Sequence, residues 1–329
     1  MKAAVVPSKQ GKWEIREVET PEPGPNQVLI KIHASGICYT DVHQTDGGLP
    51  GLFPRVLGHE PCGEIVTLGA GVTTRQIGDR VGVPWVQSGC GRCEWCLRGR
   101  TNFCAKVSGT SMQMWGGPAE YMVARAEAAM LIPDKLSYEQ AAPVFCAGYT
   151  VWSGLRLAQP QPGQTVAVVG IGGLGHLAVQ YAKAAGFTTI AVSRSADKVD
   201  FIKATLGADE VVTDGAGLAA IGGADVVLCT GNSTASMEDV IQGMRPDGTL
   251  VVMGLDEKPL QLSTFQLIMK RLRIIGSQQN HPEYLYEALQ LSASGKIRVH
   301  TESFAFDDVN HAYDRVADGK VRYRAVLTF

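Results

Sequence analysis

Hydrophobic positions follow a short β-like pattern in the first part of the chain. Up to Asp134, apolar runs such as Lys2–Val6, 28–33, 64–66 and 80–83 are separated by turns rich in glycine and proline. Runs of this kind favour a small, mostly antiparallel β-barrel over a helical domain.

After Asp134, apolar strands alternate with helical stretches. Strands are predicted over Thr165–Val169, 188–193, Glu210–Val212, 225–228, 250–253, 273–275 and 323–328. Helices are predicted over 138–152, 176–185, 198–206, 237–244 and 282–294. A continuous apolar strand such as Thr165–Val169 is typical of a parallel sheet covered on both faces, and the alternation predicts a doubly wound α/β sheet.

Length and charge narrow the class of protein. The chain has 329 residues, of which 45% are hydrophobic, and a net charge of −2, so about two globular domains are expected. This charge gives no reason to expect a nucleic acid or an anionic membrane as partner. The N-terminal apolar run is broken at Pro7, which argues against a signal peptide. No apolar run reaches the length of about 18 residues that a membrane helix needs. We therefore predict a cytoplasmic protein.

Four of the eight cysteines are closely spaced. Cys90, Cys93, Cys96 and Cys104 follow the pattern C-x-x-C-x-x-C-x7-C, and four thiolates can close a tetrahedral shell around a structural zinc ion. An iron–sulfur cluster also uses four cysteines, so the spacing alone leaves both metals open. A nucleic-acid-binding zinc ribbon is disfavoured because few basic residues lie nearby in an acidic chain.

A second set of metal-ligand residue types is spread over three segments. Residues 38–43 contain a thiol, a hydroxyl, a carboxylate and an imidazole, and a Gly-His-Glu sequence follows at 58–60. A catalytic zinc ion usually has three protein ligands and one open position. Cys38 and His59 are candidates for two of these ligands, and Cys146 is the candidate for the third.

A glycine-rich turn lies between a predicted strand and a predicted helix, which is the context that a dinucleotide-binding fingerprint requires. Its glycines would let the backbone approach a pyrophosphate at the helix N-terminus. The predicted coenzyme residues of this turn are Gly170, Gly172, Gly173, Leu174 and Gly175.

The end of the next strand predicts the coenzyme. In NAD-binding units an acidic residue about 20 positions past the glycines binds the ribose 2′-hydroxyl. Here the strand is followed by Ser193, Arg194 and Ser195, with Lys198 one turn further on. Two hydroxyls and a guanidinium can bind a 2′-phosphate, so NADP(H) is predicted to be preferred. Arg194 could instead stack on adenine, with NAD(H) also accepted.

Taken together, these motifs resemble the zinc-dependent medium-chain alcohol dehydrogenases. The sequences Cys-x-Thr-Asp-x-His, Gly-His-Glu and Ala-Ala-Pro-x-x-Cys-Ala-Gly occur in that family's order, and the resemblance covers essentially the whole chain. It implies a GroES-like catalytic domain over 1–149 and 282–329, and a Rossmann coenzyme-binding domain over 150–281. It also favours zinc in the four-cysteine lobe.

The resemblance implies a role for several side chains around the catalytic zinc. Cys38, His59 and Cys146 would be its ligands, and Asp41 would accept a hydrogen bond from His59. Glu60 would either enter the ligand shell during ligand exchange or stay a buried carboxylate beside it.

The resemblance also implies residues for proton transfer, substrate and coenzyme. Thr40 would hydrogen-bond the zinc-bound oxygen, and the proton would pass through the coenzyme ribose to His43. Trp85 would line the substrate pocket, and Arg324 would contact the coenzyme pyrophosphate.

The predicted function is an NADP(H)-dependent zinc alcohol dehydrogenase or aldehyde reductase, with two zinc ions per chain and a small primary alcohol or aldehyde as substrate. A homodimer or homotetramer is expected. One alternative is a polyol or sugar dehydrogenase, in which a glutamate more often occupies a ligand position. Another is a non-catalytic dinucleotide-binding protein of the same fold, which typically lacks the zinc ligands.

Overall fold

The computed structural model describes residues 1–49 and 52–329. These residues form two compact units. The first unit comprises Met1–Cys146 and Val299–Phe329, and the second comprises Ala147–Arg298.

Within the described residues, strands β1 to β18 are, in chain order, Lys2–Val6, Glu14–Glu17, Gln27–Ile37, Arg55–Val56, Glu60–Leu68, Arg80–Gly82, Val86–Ser88, Ser108–Gly109, Tyr121–Arg125, Met130–Leu131, Thr165–Val169, Thr188–Val192, Glu210–Val212, Ala224–Cys229, Met244–Val252, Arg273–Gly276, Thr301–Ala305 and Arg324–Thr328. Helices α1 to α11 are Tyr39–Thr45, Glu94–Leu97, Tyr138–Ala141, Ala147–Ala158, Gly175–Ala184, Val199–Ala204, Gly215–Ala220, Thr234–Val240, Thr264–Lys270, Pro282–Ala293 and Val309–Ala317. Short 3-10 turns cover Thr101–Phe103, Ala142–Phe145, Ala196–Lys198, Ile241–Gly243 and Phe306–Asp308. In the described part of the chain, no helix is long and apolar enough to cross a membrane.

The first unit is built around a mostly antiparallel sheet with the strand order β10-β6-β5-β3-β18-β17, in which β9 also pairs with β3. Alternate residues of β3, such as Val28, Ile30 and Ile32, are buried in one apolar cluster with Ile65 and Val81. Alternate side chains of a strand point to the same face, so these three residues face one core. Because β5, β3 and β18 are neighbours, their ends bring distant parts of the chain together.

The second unit is a six-stranded parallel sheet with the order β13-β12-β11-β14-β15-β16. Every residue of β11 is buried, which explains why this strand is apolar throughout. The strand order reverses between β11 and β14, and ligands of open α/β sheets bind at such a point, outside the carboxyl ends of the strands. The predicted α/β fold class, with a doubly wound parallel sheet, is confirmed.

The helix predicted over 138–152 is interrupted in the structure. Helix α3 ends at Ala141, a 3-10 turn covers Ala142–Phe145, and α4 begins at Ala147. Pro143 lacks the backbone N–H that a continuous helix needs, so the chain changes geometry there. The interruption leaves Cys146 at the junction, at the end of the first unit.

The boundaries of the units differ from those predicted at 149/150 and 281/282. Helix α10 was assigned to the catalytic domain, whereas it belongs to the second unit. On α10, Glu287 accepts hydrogen bonds from Trp152 and Arg156 of α4. The backbone carbonyl of Ala288 accepts a hydrogen bond from Tyr181 of α5. These contacts hold α10 to the helices that cover the parallel sheet, and only the segment from Val299 onward returns to the first unit.

Candidate metal centres and coenzyme site

Three neighbouring strand ends assemble a buried site in the first unit. Strand β3 ends at Ile37, directly before Cys38, and β5 begins at Glu60, directly after His59. Gly36 of β3 pairs with Glu60, and Ile37 pairs with Ala325, the residue after Arg324. The strand register therefore brings Cys38, His59, Glu60 and Arg324 into one region.

The ligand atoms of Cys38, His59, Glu60 and Cys146 all lie within 4.8 Å of one another, and all four residues are buried. The Sγ atoms of Cys38 and Cys146 are 3.8 Å apart, and His59 Nε2 lies 3.1 Å from Cys146 Sγ. The three predicted ligands are thus brought together, with Glu60 beside them.

The donor set fits a zinc ion. Two thiolates bound tetrahedrally at about 2.3 Å from one zinc ion lie about 3.8 Å apart, which is the separation of the Cys38 and Cys146 sulfur atoms. Cys146 and His59 lower the pKa of the Cys38 thiol well below its usual value, which favours the thiolate form that binds metal. The contact with Cys38 and burial raise the pKa of the Cys146 thiol well above its usual value, so this sulfur atom would release its proton when a metal ion binds.

Asp41 joins the two ligand-bearing segments through their backbones. Its Oδ2 accepts a hydrogen bond from Cys38 N at 2.8 Å, and its Oδ1 accepts one from Gly58 N at 3.0 Å. Oδ1 also lies 3.5 Å from His59 Nδ1, which is longer than the roughly 2.7–3.2 Å of a typical N–H···O bond. The carboxylate therefore faces His59 at a distance too long for the hydrogen bond that the resemblance implied, and its short hydrogen bonds hold the backbone beside Cys38 and His59.

Glu60 and Arg324 form a buried ion pair in which the guanidinium Nη2 contacts Glu60 Oε1. Burial raises the pKa of Glu60 to about 7, while Arg324 opposes this shift. Among the described residues, Glu60 Oε2 has no hydrogen-bond partner. Arg324 was predicted to contact a pyrophosphate, and the contact found for it in the first unit is with this carboxylate.

Gly36 makes room for that carboxylate. A Cβ atom on Gly36 would lie 1.9 Å from Glu60 Oε2, a distance at which atoms cannot coexist. The motif-based prediction did not assign a role to Gly36, since its constraint arises from pairing with a distant strand.

Thr40 and His43 lie on α1, three residues apart, and so on the same side of the helix. Thr40 Oγ1 is 3.6 Å from Cys38 Sγ. His43 Nε2 is buried and has no hydrogen-bond partner among the described residues. The ring of Trp85 packs edge-on against His59, with centroids 4.8 Å apart. Trp85 therefore lies at the metal centre, where it was predicted to line a pocket.

The four closely spaced cysteines also come together, in a lobe of the first unit. The ligand atoms of Cys90, Cys93, Cys96 and Cys104 lie within 4.8 Å of one another. Backbone N–H groups point at the sulfur atoms: Cys93 N is 3.3 Å from Cys90 Sγ, and Cys90 N is 3.4 Å from Cys104 Sγ. The N–H groups of Arg92 and Cys93 lower the pKa of Cys90 to about 6. The four sulfur atoms fit a closed all-thiolate shell around one metal ion.

The glycine-rich turn lies between β11 and α5 in the second unit, as predicted. Gly170 has a positive φ of 86°, which glycine adopts without strain. A Cβ atom on Gly175 would lie 2.1 Å from the Gly170 carbonyl oxygen, so only glycine allows the turn to close on the start of α5. Gly172, Gly173 and Leu174 form the tip of the turn, before α5 begins at Gly175.

A cavity of about 530 Å³ opens beside this turn at the carboxyl ends of the parallel strands. Gly170, Ser193, Arg194 and Ser195 line it, and Lys198 is not among its lining residues. Asp214 lines the same cavity and was not predicted there. Because Val192 pairs with Val212 in register, the residues that follow β12 and β13 meet at one rim.

A buried thiolate–imidazole metal centre in one unit and a dinucleotide-type fold in the other define the class of a metal-dependent dehydrogenase. Comparison with known proteins specifies this class further. The family model "Alcohol dehydrogenase GroES-like domain" matches residues 24–134, and "Zinc-binding dehydrogenase" matches residues 173–294.

The chain is 39% identical over 335 residues to an alcohol dehydrogenase of Geobacillus stearothermophilus, with 99% of each chain covered. Its structure resembles a cinnamyl alcohol dehydrogenase of Sorghum bicolor, with a TM-score of 0.91, 30% identity and coverage of 99% and 97% of the two chains. It also resembles the cobalt- and zinc-bound thermostable alcohol dehydrogenase of Pyrobaculum aerophilum, with a TM-score of 0.90, 29% identity and coverage of 100% and 99%. The chain belongs to the zinc-dependent medium-chain alcohol dehydrogenase family. Family membership and the cysteine cluster support zinc and a nicotinamide coenzyme as its cofactors.

Proposed function

We propose that this protein is an NADP(H)-dependent zinc alcohol dehydrogenase or aldehyde reductase that acts on small primary alcohols or aldehydes. The observation that carries the proposal is the convergence of Cys38, His59 and Cys146 in a buried site, in a chain of the alcohol dehydrogenase family. Three such donors would hold a metal ion in the way that is typical of a catalytic zinc site.

Cys38, His59 and Cys146 would hold the catalytic ion, and the lobe of Cys90, Cys93, Cys96 and Cys104 would hold a structural one. A bound zinc ion supplies Lewis acidity, which favours the alkoxide form of an alcohol and polarises a carbonyl. The ion pair with Arg324 keeps Glu60 beside the ligands, and its Oε2, which has no hydrogen-bond partner within the described ranges, would be the atom that enters the ligand shell.

Thr40 and His43 are the candidates for moving the substrate proton. The hydroxyl of Thr40 is near the Cys38 sulfur and can accept the proton at Oγ1. His43 presents a buried Nε2 with no partner among the described residues, on the same side of α1. A neutral imidazole can accept a proton at this nitrogen and pass it on.

The cavity beside β12 supports a preference for NADP(H). Ser193, Arg194 and Ser195 line it, and hydroxyl and guanidinium groups suit a phosphate dianion. Asp214 acts against this preference because it is an acidic residue that lines the same cavity. The expected preference is therefore set by competition between the charges of Arg194 and Asp214.

Two variants with opposite expected effects on the preference for NADPH test the coenzyme proposal. Arg194→Ala should raise the KM for NADPH much more than that for NADH, since a charge-assisted hydrogen bond is worth about 1.5–3 kcal/mol. Asp214→Asn should shift kcat/KM towards NADPH, while asparagine still caps α7 as Asp214 does through the Gly217 N–H. A wild-type enzyme whose kcat/KM favours NADH would overturn the NADP(H) assignment and leave the zinc chemistry standing.

Oxidation of NADPH with benzaldehyde, followed by absorbance, tests the activity itself. The wild-type protein should turn over, and Cys146→Ala should not, while both bind the coenzyme. Turnover with polyols in place of benzaldehyde would support a polyol dehydrogenase. Coenzyme binding without turnover of any alcohol or aldehyde would support a non-catalytic protein of this fold.

A further inference from the structure

A fully buried histidine contacts the glycine-rich turn from inside the second unit. His176 is 0% exposed, and its Nδ1 lies 3.2 Å from the carbonyl oxygen of Gly172. The backbone N–H of His176 donates to the same oxygen at 3.0 Å. Because a carbonyl oxygen only accepts hydrogen bonds, Nδ1 must carry a proton in this contact.

The direction of the Gly172 carbonyl determines the direction of the next N–H group. In a planar trans peptide, the C=O of one residue and the N–H of the following residue point in opposite directions. The carbonyl of Gly172 is turned towards His176, so the N–H of Gly173 is turned away from it. N–H groups at the start of a helix have no partner within the helix and are available to an anion.

Gly172 has no side chain that could restrain its peptide, so the hydrogen bonds from the His176 backbone N–H and Nδ1 to its carbonyl oxygen hold it. A Cβ atom on Gly172 would meet no heavy atom within 4 Å, and glycine is the most conformationally free residue. The carbonyl at the other end of the turn, that of Gly170, accepts a hydrogen bond from Thr230 Oγ1 at 2.6 Å. His176 supplies the matching restraint at Gly172.

We propose that His176 is a positioning residue for the coenzyme pyrophosphate. Its Nδ1–H holds the Gly172 carbonyl, so that the Gly173 N–H is already oriented towards a phosphate oxygen before the coenzyme binds. The inference rests on the proposed function, since it requires a dinucleotide at this turn. Such preorganisation improves affinity by reducing the ordering needed on binding.

Three substitutions separate the hydrogen bond from the bulk of the side chain. In His176→Asn, the side-chain nitrogen is attached at the same position as Nδ1 and can donate to Gly172. In His176→Gln, the nitrogen is one bond further away, and in His176→Ala it is missing. Helix propensity alone ranks glutamine above asparagine, so a purely structural effect predicts the opposite order of the two amides.

The Kd of the zinc-loaded enzyme is measured by fluorescence titration with two probes. NADPH contains the pyrophosphate, whereas adenosine 2′-monophosphate carries only the adenosine and the 2′-phosphate. We expect His176→Ala and His176→Gln to raise the Kd for NADPH roughly three- to tenfold, as the loss of one hydrogen bond does. His176→Asn should stay within about twofold of the wild type, and the Kd for adenosine 2′-monophosphate should change little in all three variants.

Any one of three results would overturn this inference and leave the proposed function standing. The Kd values for both probes could rise equally, or the Kd for NADPH could stay unchanged in His176→Ala. The third result is a Kd for NADPH that is no higher in His176→Gln than in His176→Asn. A wild-type protein that binds neither NADPH nor NADH would overturn the proposed function, and the inference with it.

Discussion

Removing the carboxylate of Asp41 should destabilise the catalytic metal centre and the first unit together. This carboxylate is 0% exposed and accepts the backbone N–H groups of Cys38 and Gly58. In Asp41→Ala, both N–H groups would be left buried without an acceptor.

The size of the effect follows from these two groups. Leaving one buried donor unsatisfied costs about 1–3 kcal/mol, so Asp41→Ala should lower the free energy of unfolding by about 2–6 kcal/mol. Asp41→Asn keeps one oxygen and should lose about half as much. Asp46, at the other end of the same helix, is exposed, and Asp46→Ala should stay within about 0.5 kcal/mol of the wild type.

Urea unfolding of the zinc-loaded proteins, followed by tryptophan fluorescence, measures the stability change. The rate of zinc release to a chelator should rise in the order wild type, Asp41→Asn, Asp41→Ala. The reason is that the Asp41 carboxylate positions the two backbone segments that carry Cys38 and His59. If Asp41→Ala had the same stability and the same zinc-release rate as the Asp46→Ala control, the proposed role of the Asp41 carboxylate would be refuted.

Three further substitutions test other parts of the site. Cys93→Ser should lower the thermal midpoint, because metal binding at the closed shell is coupled to folding, and full thermal stability with activity lost would mean that the two metal centres are interchanged. Gly36→Ala should cost about 1–3 kcal/mol of stability, as overpacking does, because its Cβ would overlap Glu60. Gly48→Ala is the matched control, since its Cβ would meet its nearest atom at 3.5 Å, and equal midpoints of the two variants would contradict the overlap. His43→Ala should lower kcat by roughly tenfold to a few hundredfold, and a pH–rate profile equal to that of the wild type would remove His43 from proton transfer.

The fold was predictable where the sequence pattern is local. Strand β11 has the predicted bounds Thr165–Val169, because a parallel strand buried on both faces is apolar at every position. The turn after it was recognisable for the same reason, since its glycines, the strand and the helix are contiguous in the sequence. The cysteines of the lobe lie within one short segment, so their spacing alone indicated that they come together.

The features that were missed depend on contacts between distant segments. The close approach of Gly36 to Glu60 and the lining of the coenzyme cavity by Asp214 follow from strand register, which the local sequence pattern did not reveal. The contact of His176 with Gly172 lies within one helical turn, but a histidine at the start of a helix has no distinctive sequence signal. The break before Cys146 did have a signal, since Pro143 lies inside the predicted helix and proline interrupts helices.

The metal content of the wild type and of His59→Ala tests the central claim most directly. Elemental analysis of the purified proteins should give two zinc ions per wild-type chain, one for each cysteine group, and one per chain of the variant, which retains the four-cysteine lobe. Iron in place of zinc, one zinc ion in both proteins, or two in the variant would contradict the assignment of Cys38, His59 and Cys146 as a catalytic zinc site.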